Sequence, residues 1–431
     1  MAGKPKIDVL LVGGGGREHA IAWAMAKSPR LGRLICAPGN GGMAGIAECV
    51  DVAARDIDGV VALARSRGFG LVVVGPDDPL ADGLVDALDA AGVRAFGPYR
   101  AAARLESSKA FAKGFMRRNG IPTAAYAAFT DAEADAAIKH VREHGAPIVV
   151  KADGLALGKG VVVAQSVGEA ERAVRDVLED KTFGEAACGS VVIEECLAGK
   201  EMTVLAFCDG KTLSPMPCAQ DHKRAYDGDM GPNTGGMGAF APSPAYSAAV
   251  GEECERSIFR PTLIGLEREG ITYRGVLYFG LMATPSGVKL IEYNARFGDP
   301  EAQAVLPLLR TDILDIFDAA IDGRLDSISI EWDNLYSACV VAVSGGYPGK
   351  YGIGHEITIS PCCEPPPFGL AAYFHAGTAL RGGKLVTSGG RVVGSSALGR
   401  TLDEAIQGAY AGVRRVSFEG MRCRSDIGFS R

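Results

Sequence analysis

The sequence predicts a multidomain protein of α/β and α+β class, with a Rossmann-like parallel sheet first, a larger central region, and a small α+β domain last. Three observations carry this. Over the first hundred residues short aliphatic strands alternate with helical segments, at the spacing of a parallel sheet covered on both faces. The middle holds a glycine-rich, lysine-bearing hairpin and a strand ending in Glu-x-Asn. The last hundred residues read as short strands broken by Gly345-Gly346-Tyr347-Pro348-Gly349, Gly382-Gly383 and Gly389-Gly390, closed by a helix at Leu402 to Val416.

Taken in order, Ile7 to Val12 is an aliphatic strand that runs into Gly13-Gly14-Gly15-Gly16 and an alanine-rich helix. A dinucleotide fingerprint needs a third glycine where this chain has Glu18 or His19. The next strand ends Cys36-Ala37-Pro38-Gly39-Asn40 with no carboxylate for a ribose, which argues against a nicotinamide oxidoreductase. A phosphate or sugar-phosphate site at the helix start and a merely tight turn are both open readings. Further strands at Leu71 to Gly75 and Val93 to Phe96 complete a sheet that ends near Pro98.

A helix from Ala101 to Asn119 carries Ser107, Ser108 and Lys109. Pro147 to Val163 reads as two strands joined by a loop containing Gly158-Lys159-Gly160. It is no P-loop, because the helix and the Ser or Thr after Gly-Lys are missing. Such a loop suits a triphosphate, with Lys159 above it and Lys151 beside it; a solvated hairpin is the bland alternative. Val191 to Leu197 ends in Glu194-Glu195 with Glu201 downstream, either an edge strand or a hinge against adenine. Gln220 to Gly238 reads as one long structured loop, its glycines opposing helix or strand. A helix from Tyr246 to Glu269 and a strand from Gly275 to Ala283 lead to Ile291–Glu301. There Glu292, Asn294 and Arg296 share one face of an alternating strand. A carboxylate and an amide oxygen two residues apart suit a hard cation, and an arginine beyond them suits an anion.

Composition narrows the class. At 431 residues the length suggests about three domains, and 47% hydrophobic with 22% charged residues is globular composition. A net charge of −6 gives no global attraction for nucleic acid. The 11 cysteines are scattered, without a CxxC pair, as reduced core thiols are; with neither a signal-peptide core nor a membrane-length apolar run, the expectation is a cytoplasmic enzyme.

The ordered set Gly13 to His19, Lys151 to Gly160, Gln220 to Arg224, Gly231 to Gly238 and Arg296 to Glu301 resembles the glycinamide ribonucleotide synthetase family of ATP-grasp ligases, over essentially the whole chain. The resemblance implies domains at 1–104, 105–325 with a mobile lid at about 122–192, and 326–431. It implies ligation of glycine to 5-phosphoribosylamine through glycyl phosphate, with ATP and Mg2+ or Mn2+, by a monomer that uses small-molecule partners, no nucleic acid and no membrane. By position, Glu292 and Asn294 would bind metal. Lys109, Lys151, Gly158, Lys159 and Gly160 would meet the phosphates, and Glu194, Glu195, Leu197 and Glu201 the adenosine. Gly13, Gly14, Gly15, Gly16 and Asn40 would hold the ribose phosphate, while Asp221, Asn233, Thr234 and Arg296 would line the glycine and amine pocket, Arg296, Lys159 and Asp221 being catalytic. The family's Gly-Pro-Glu is Gly75-Pro76-Asp77 here, and its glycine before Ser-Lys is Ser107. Another ATP-grasp carboxylate–amine ligase and a non-catalytic nucleotide-binding protein are the alternatives.

Overall fold

The computed structural model describes residues 5–155, 160–181, 189–361 and 369–429. Strands β1 (Ile7–Gly13), β2 (Leu31–Pro38), β3 (Glu48–Cys49), β4 (Leu71–Val74) and β5 (Ala95–Phe96) form a parallel sheet in the order β3-β2-β1-β4-β5. The residues of β1 from Val9 to Val12 are fully buried, as expected of a strand covered on both faces. The sheet reverses direction of growth at β1, so the glycine turn after it lies at the edge where such sheets bind ligands.

Two antiparallel four-stranded sheets follow. β6 (Tyr126–Thr130), β7 (Ile148–Ala152), β8 (Val161–Ala164) and β9 (Ser190–Glu195) pair as β6-β9-β7-β8. Their face packs on two helices, Ala134–His144 and Val167–Leu178, in a core of its own. β10 (Lys200–Cys208), β11 (Leu213–Pro215), β16 (Gly275–Thr284) and β17 (Gly287–Asn294) pair as β11-β10-β16-β17.

Gln220 to Gly238 departs from the expected loop. It holds β12 (Gln220–Asp221), a hairpin of β13 (Arg224–Tyr226) and β14 (Met230–Asn233), and leads into β15 (Gly238–Ala241). Gly228 makes the hairpin turn at φ 68, and Gly231, at φ 82 inside β14, lies where the pairing of the two strands shifts register. The buried Arg424 braces it, donating to Arg224 O at 3.1 Å and Asp229 Oδ1 at 2.8 Å. β12 and β15 then join the C-terminal sheet through β18 (Tyr336–Val343), followed by Arg391–Gly399 and Leu370–His375. A segment expected to belong wholly to the central region thus forms one edge of the last domain.

The helix Ile313–Ile321 ties the parallel sheet to the central one. Phe317 stacks on Phe96 with ring centroids 4.0 Å apart and meets Phe207 edge-on at 6.5 Å. Burying each such ring contributes roughly 1.5–3 kcal/mol.

His19 and His375 join the first domain to the last. The His375 N–H donates to His19 Nδ1 at 2.9 Å, so that nitrogen must be unprotonated. Burial, reinforced by His375, pushes His19 down to about 3, and burial pushes His375 down to about 4, from 6.5. Both are neutral in the folded state down to acid pH, whereas in the unfolded chain they take up protons below 6.5. Their contribution is therefore complete above pH 6.5 and lost as pH falls from there toward 4 and then 3. The melting midpoint is expected to drop across that window. His19→Asn, which retains an acceptor and does not titrate, should flatten the slope; an unchanged slope would show that the acid sensitivity lies elsewhere.

Candidate active site

Glu292 and Asn294 reach their common face by a bulge. β16 and β17 pair Gly280 with Glu292 but Leu281 with Leu290, leaving Ile291 as an extra residue. Before it, Val288 and Leu290 face the core; after it, Tyr293 does. Without the extra residue Glu292 and Asn294 would continue the core face of Val288 and Leu290. Simple alternation therefore pairs the two correctly but misses what exposes them to the site. Arg296 is not on the strand, which ends at Asn294.

Glu106, at the end of the helix Arg100–Ser107, organises this strand end and escaped the sequence reading. Its carboxylate accepts from Ala295 N at 2.7 Å and pairs with Arg296 Nη2 at 2.7 Å. In the amide orientation its neighbours favour, the Asn294 nitrogen donates to Glu106 Oε1 at 3.2 Å and Tyr293 O at 3.1 Å, which turns its oxygen away from Glu106. Arg296 Nη1 donates to Phe297 O at 3.2 Å, while its buried Nε has no hydrogen-bond partner among the described residues. Burial pushes the Glu292 carboxyl up, but Lys109, Lys151, Lys223 and Arg296 together hold it below the usual carboxylate range. It is an anion among cations.

Glu194 lies between two lysines, 2.8 Å from Lys113 Nζ and 2.9 Å from Lys151 Nζ, with all three side chains at most 4% exposed. Lys113, a second lysine missed from sequence, also donates to Thr123 Oγ1 at 2.7 Å. Burial pushes it down to about 8 despite Glu194. The carboxylate expected to meet adenine is thus occupied in fixing Lys151. Glu195 N–H donates to Ala125 O at 2.8 Å, and Leu197 follows in the loop before β10. Lys109 opens the helix Lys109–Arg118, its Nζ 3.2 Å from Glu106 O. Asp153, at the start of the glycine loop, accepts from Ala110 N at that helix's N-terminus (3.1 Å) and from Ser190 Oγ (2.6 Å). Gly160 returns to β7 through its carbonyl, which accepts from Ala152 N at 2.8 Å; Gly158 and Lys159 lie outside the described residues.

Lys223 bridges Asp221 Oδ1 at 2.9 Å and Glu201 Oε2 at 3.1 Å. Beneath it Tyr278 OH donates to Glu301 Oε1 at 3.0 Å. Burial and the neighbouring Asp221 push the Glu301 carboxyl above the usual carboxylate range, in a group that the sequence reading passed over. Thr234 turns inward instead of lining a pocket freely: its hydroxyl donates to Lys223 O at 2.8 Å and accepts from Gly236 N at 2.9 Å. Asn233 pairs with Arg224 across the hairpin.

The glycine turn is part of a different wall. Glu18, the residue that broke the dinucleotide pattern, accepts from Gly15 N at 2.7 Å and sits where a Cβ at Gly13 or Gly75 would be, which explains glycine at both. Glu18 thus engages the Gly15 N–H that was expected to meet a phosphate. Asn40 is also spent: it donates to Gly14 O (3.0 Å) and His375 O (2.8 Å) and accepts from Gly42 N and Met43 N (3.0 Å each), using both ends of its amide. It shapes the wall and has no capacity left for a ligand. Gly14, Gly15 and Asn40 nevertheless line a cavity of about 340 Å³ with Asp299, Thr378, Ser388 and Arg391. Arg391 pairs with Asp299 Oδ2 at 3.1 Å and donates to Asp299 O at 2.7 Å. The last domain supplies one side of this cavity.

Two oxygen donors on one strand face, ringed by cations, fit a divalent ion that arrives on a polyphosphate, since Mg2+ keeps other ligands from phosphate and water. Among the described residues no group of three His, Cys, Asp or Glu forms a fuller metal cage.

Two antiparallel sheets with a seam of lysines and carboxylates between them, set on a parallel N-terminal sheet, define an ATP-grasp enzyme. The chain matches the phosphoribosylglycinamide synthetase N domain over residues 7–106, its ATP-grasp (A) domain over 107–302 and its C domain over 337–430. It belongs to the phosphoribosylglycinamide synthetase family, ligases of purine biosynthesis. A phosphoribosylamine–glycine ligase of Vibrio cholerae is 47% identical over 98% of both chains, and one of Xanthomonas campestris 48% over 98% of this chain and 97% of its own. The crystal structure of the Thermotoga maritima phosphoribosylamine–glycine ligase superposes with a TM-score of 0.83 at 34% identity, covering 98% of this chain and 100% of that one. A biotin carboxylase domain from Hydrogenobacter thermophilus, 17% identical with a TM-score of 0.73 over 97% of this chain and 92% of its own, shares the fold.

Proposed function

We propose that glycyl phosphate is the intermediate through which this enzyme works. The chain is a ligase that joins glycine to 5-phosphoribosylamine with ATP, giving glycinamide ribonucleotide, ADP and phosphate. A carboxylate is a poor electrophile, so one glycine oxygen attacks the γ-phosphorus, ADP leaves, and the amine then displaces phosphate from the acyl carbon. The observation that carries this reading is the ionised Glu292 beside Asn294 within a ring of Lys109, Lys151, Lys223 and Arg296. Such a ring suits phosphoryl transfer, where positioning and charge neutralisation are most of the catalysis. Glu292 and the Asn294 oxygen would hold Mg2+, or Mn2+, which accepts the same oxygen donors. When bound, that ion neutralises charge on the phosphates.

The buried Arg296 Nε, without a partner among the described residues, supports an anion at this point, the glycine carboxylate on our reading. Asp221 and Glu301 suit the attacking amine. The cavity between Arg391 and the glycine turn suits the ribose phosphate, because Arg391, paired there with Asp299, offers guanidinium donors and Thr378 Oγ1 has no hydrogen-bond partner among the described residues. We take residues 1–104, 105–325 and 326–431 as the domains, and 122–192 as the lid, which the separate core of that region supports.

The test uses glycine labelled with 18O in its carboxylate. With ATP and phosphoribosylamine, one label is expected in the released phosphate and one in the amide. Unlabelled phosphate would exclude the acyl phosphate, and phosphate release that needs bicarbonate in place of glycine would overturn the substrate assignment.

A further inference from the structure

The end of β17 is held by a single side chain that belongs to none of the roles above. Glu106 comes from the helix that leads out of the first domain, 189 residues earlier in sequence than the Ala295 amide it binds. One carboxylate oxygen accepts from Ala295 N at 2.7 Å. The other pairs with Arg296 Nη2 at 2.7 Å and accepts from the Asn294 amide nitrogen at 3.2 Å. It is only 4% exposed. Three consecutive residues are therefore fixed by one buried anion, and two of them are the proposed metal ligand and the proposed carboxylate clamp.

The chemistry explains why the group must be a carboxylate. A carboxylate has only acceptors, so the Asn294 amide can turn only its nitrogen toward it, leaving the oxygen for a cation. A carboxamide at the same position must turn its NH2 toward the Ala295 N–H or toward the Arg296 and Asn294 donors, and it carries no charge to hold Arg296. Facing Arg296 and Asn294, the NH2 would repel the guanidinium and invite Asn294 to reverse, withdrawing the oxygen from the cation; facing Ala295, it would give up that amide and still leave Arg296 without its anion.

We infer that Glu106 is a positioning residue that sets the Asn294 amide orientation and the Arg296 guanidinium, coupling the metal-bearing nucleotide to glycine at the strand end. This rests on the assignment of Glu292 and Asn294 to the metal and of Arg296 to glycine.

The experiment compares wild type with Glu106→Gln by titrating ADP in EDTA and in Mg2+, and by steady-state kinetics in glycine. Wild type is expected to bind ADP more tightly in Mg2+; if it does not, the metal assignment itself fails, separately from the role of Glu106. The variant should keep the EDTA affinity, lose the Mg2+ enhancement, and show a glycine kcat/KM lower by about 10²-fold, the scale of an ångström-level misplacement. Retained Mg2+ enhancement with unchanged glycine KM overturns the inference, as does an equal loss of ADP affinity in EDTA and Mg2+, which indicates a merely structural role. If Glu106→Gln does not fold, Glu106→Gln/Arg296→Met removes the stranded charge and is read by the same two ADP titrations. Enhancement retained there overturns the inference, and enhancement lost supports it.

Discussion

Glu292→Ala is expected to lower kcat by roughly a hundredfold or more, because charge stabilisation of several kcal/mol is withdrawn from the transferring phosphoryl group. Nucleotide binding should behave differently. In the absence of metal, the Glu292 carboxylate faces the phosphates with a like charge, and Lys109, Lys151 and Lys223 remain to attract them. Removing the carboxylate should therefore leave metal-free ADP affinity intact or improved, while the gain on adding Mg2+ disappears. Circular dichroism should be unchanged, because Glu292 contributes no ladder contact beyond its backbone pairing with Gly280. Calorimetric titrations of ADP with EDTA and with Mg2+, alongside steady-state rates, check all three. Turnover within a fewfold of wild type would remove Glu292 from the metal, and equal loss of ADP binding in both titrations would make it a structural residue.

How much of this was visible in the sequence depends on whether the information is local. Glu292 and Asn294 stand two apart in one strand, and the glycine hairpin with Lys151 is continuous, so spacing alone brings them forward. The bulge at Ile291 is invisible, because it depends on how β16 pairs with β17. Glu106 and Arg391 are invisible for a related reason. Each acts on Arg296–Asp299 from a segment about ninety or more residues away, where only tertiary packing brings them. Asn40 shows the opposite error. A polar residue after a strand at the ligand edge reads as a contact, yet its amide is consumed in joining the loop to His375. Whether a polar side chain is free cannot be read from its position. Only the partners around it decide.

The same distinction sets the expected outcome for Glu194, placed by sequence resemblance against adenine and found between Lys113 and Lys151. Glu194→Ala leaves two ammonium groups buried without the anion that touches both. Breaking a buried pair by removing one partner costs about 3–5 kcal/mol, since the remaining charge is uncompensated. The melting midpoint of the ligand-free protein should fall accordingly. Its pH dependence identifies the cause. Burial already holds Lys113 at about 8 with Glu194 present, and without that anion its folded-state value must fall further below the 10.5 of an ordinary lysine. A base whose folded value is depressed loses stability as pH falls from the unfolded value through the folded one, so the deficit should be largest near pH 7 and shrink toward pH 10. Glu194→Gln keeps the volume and one acceptor and should recover part of the loss. If Glu194 served only the adenine ring, the ligand-free midpoint would not move and the KM for ATP alone would rise. Thermal melts of the three proteins between pH 7 and 10, without nucleotide, separate the two roles, and an unmoved midpoint would return Glu194 to the base. A falling midpoint makes it the anion that keeps Lys151 charged and in place for the phosphates.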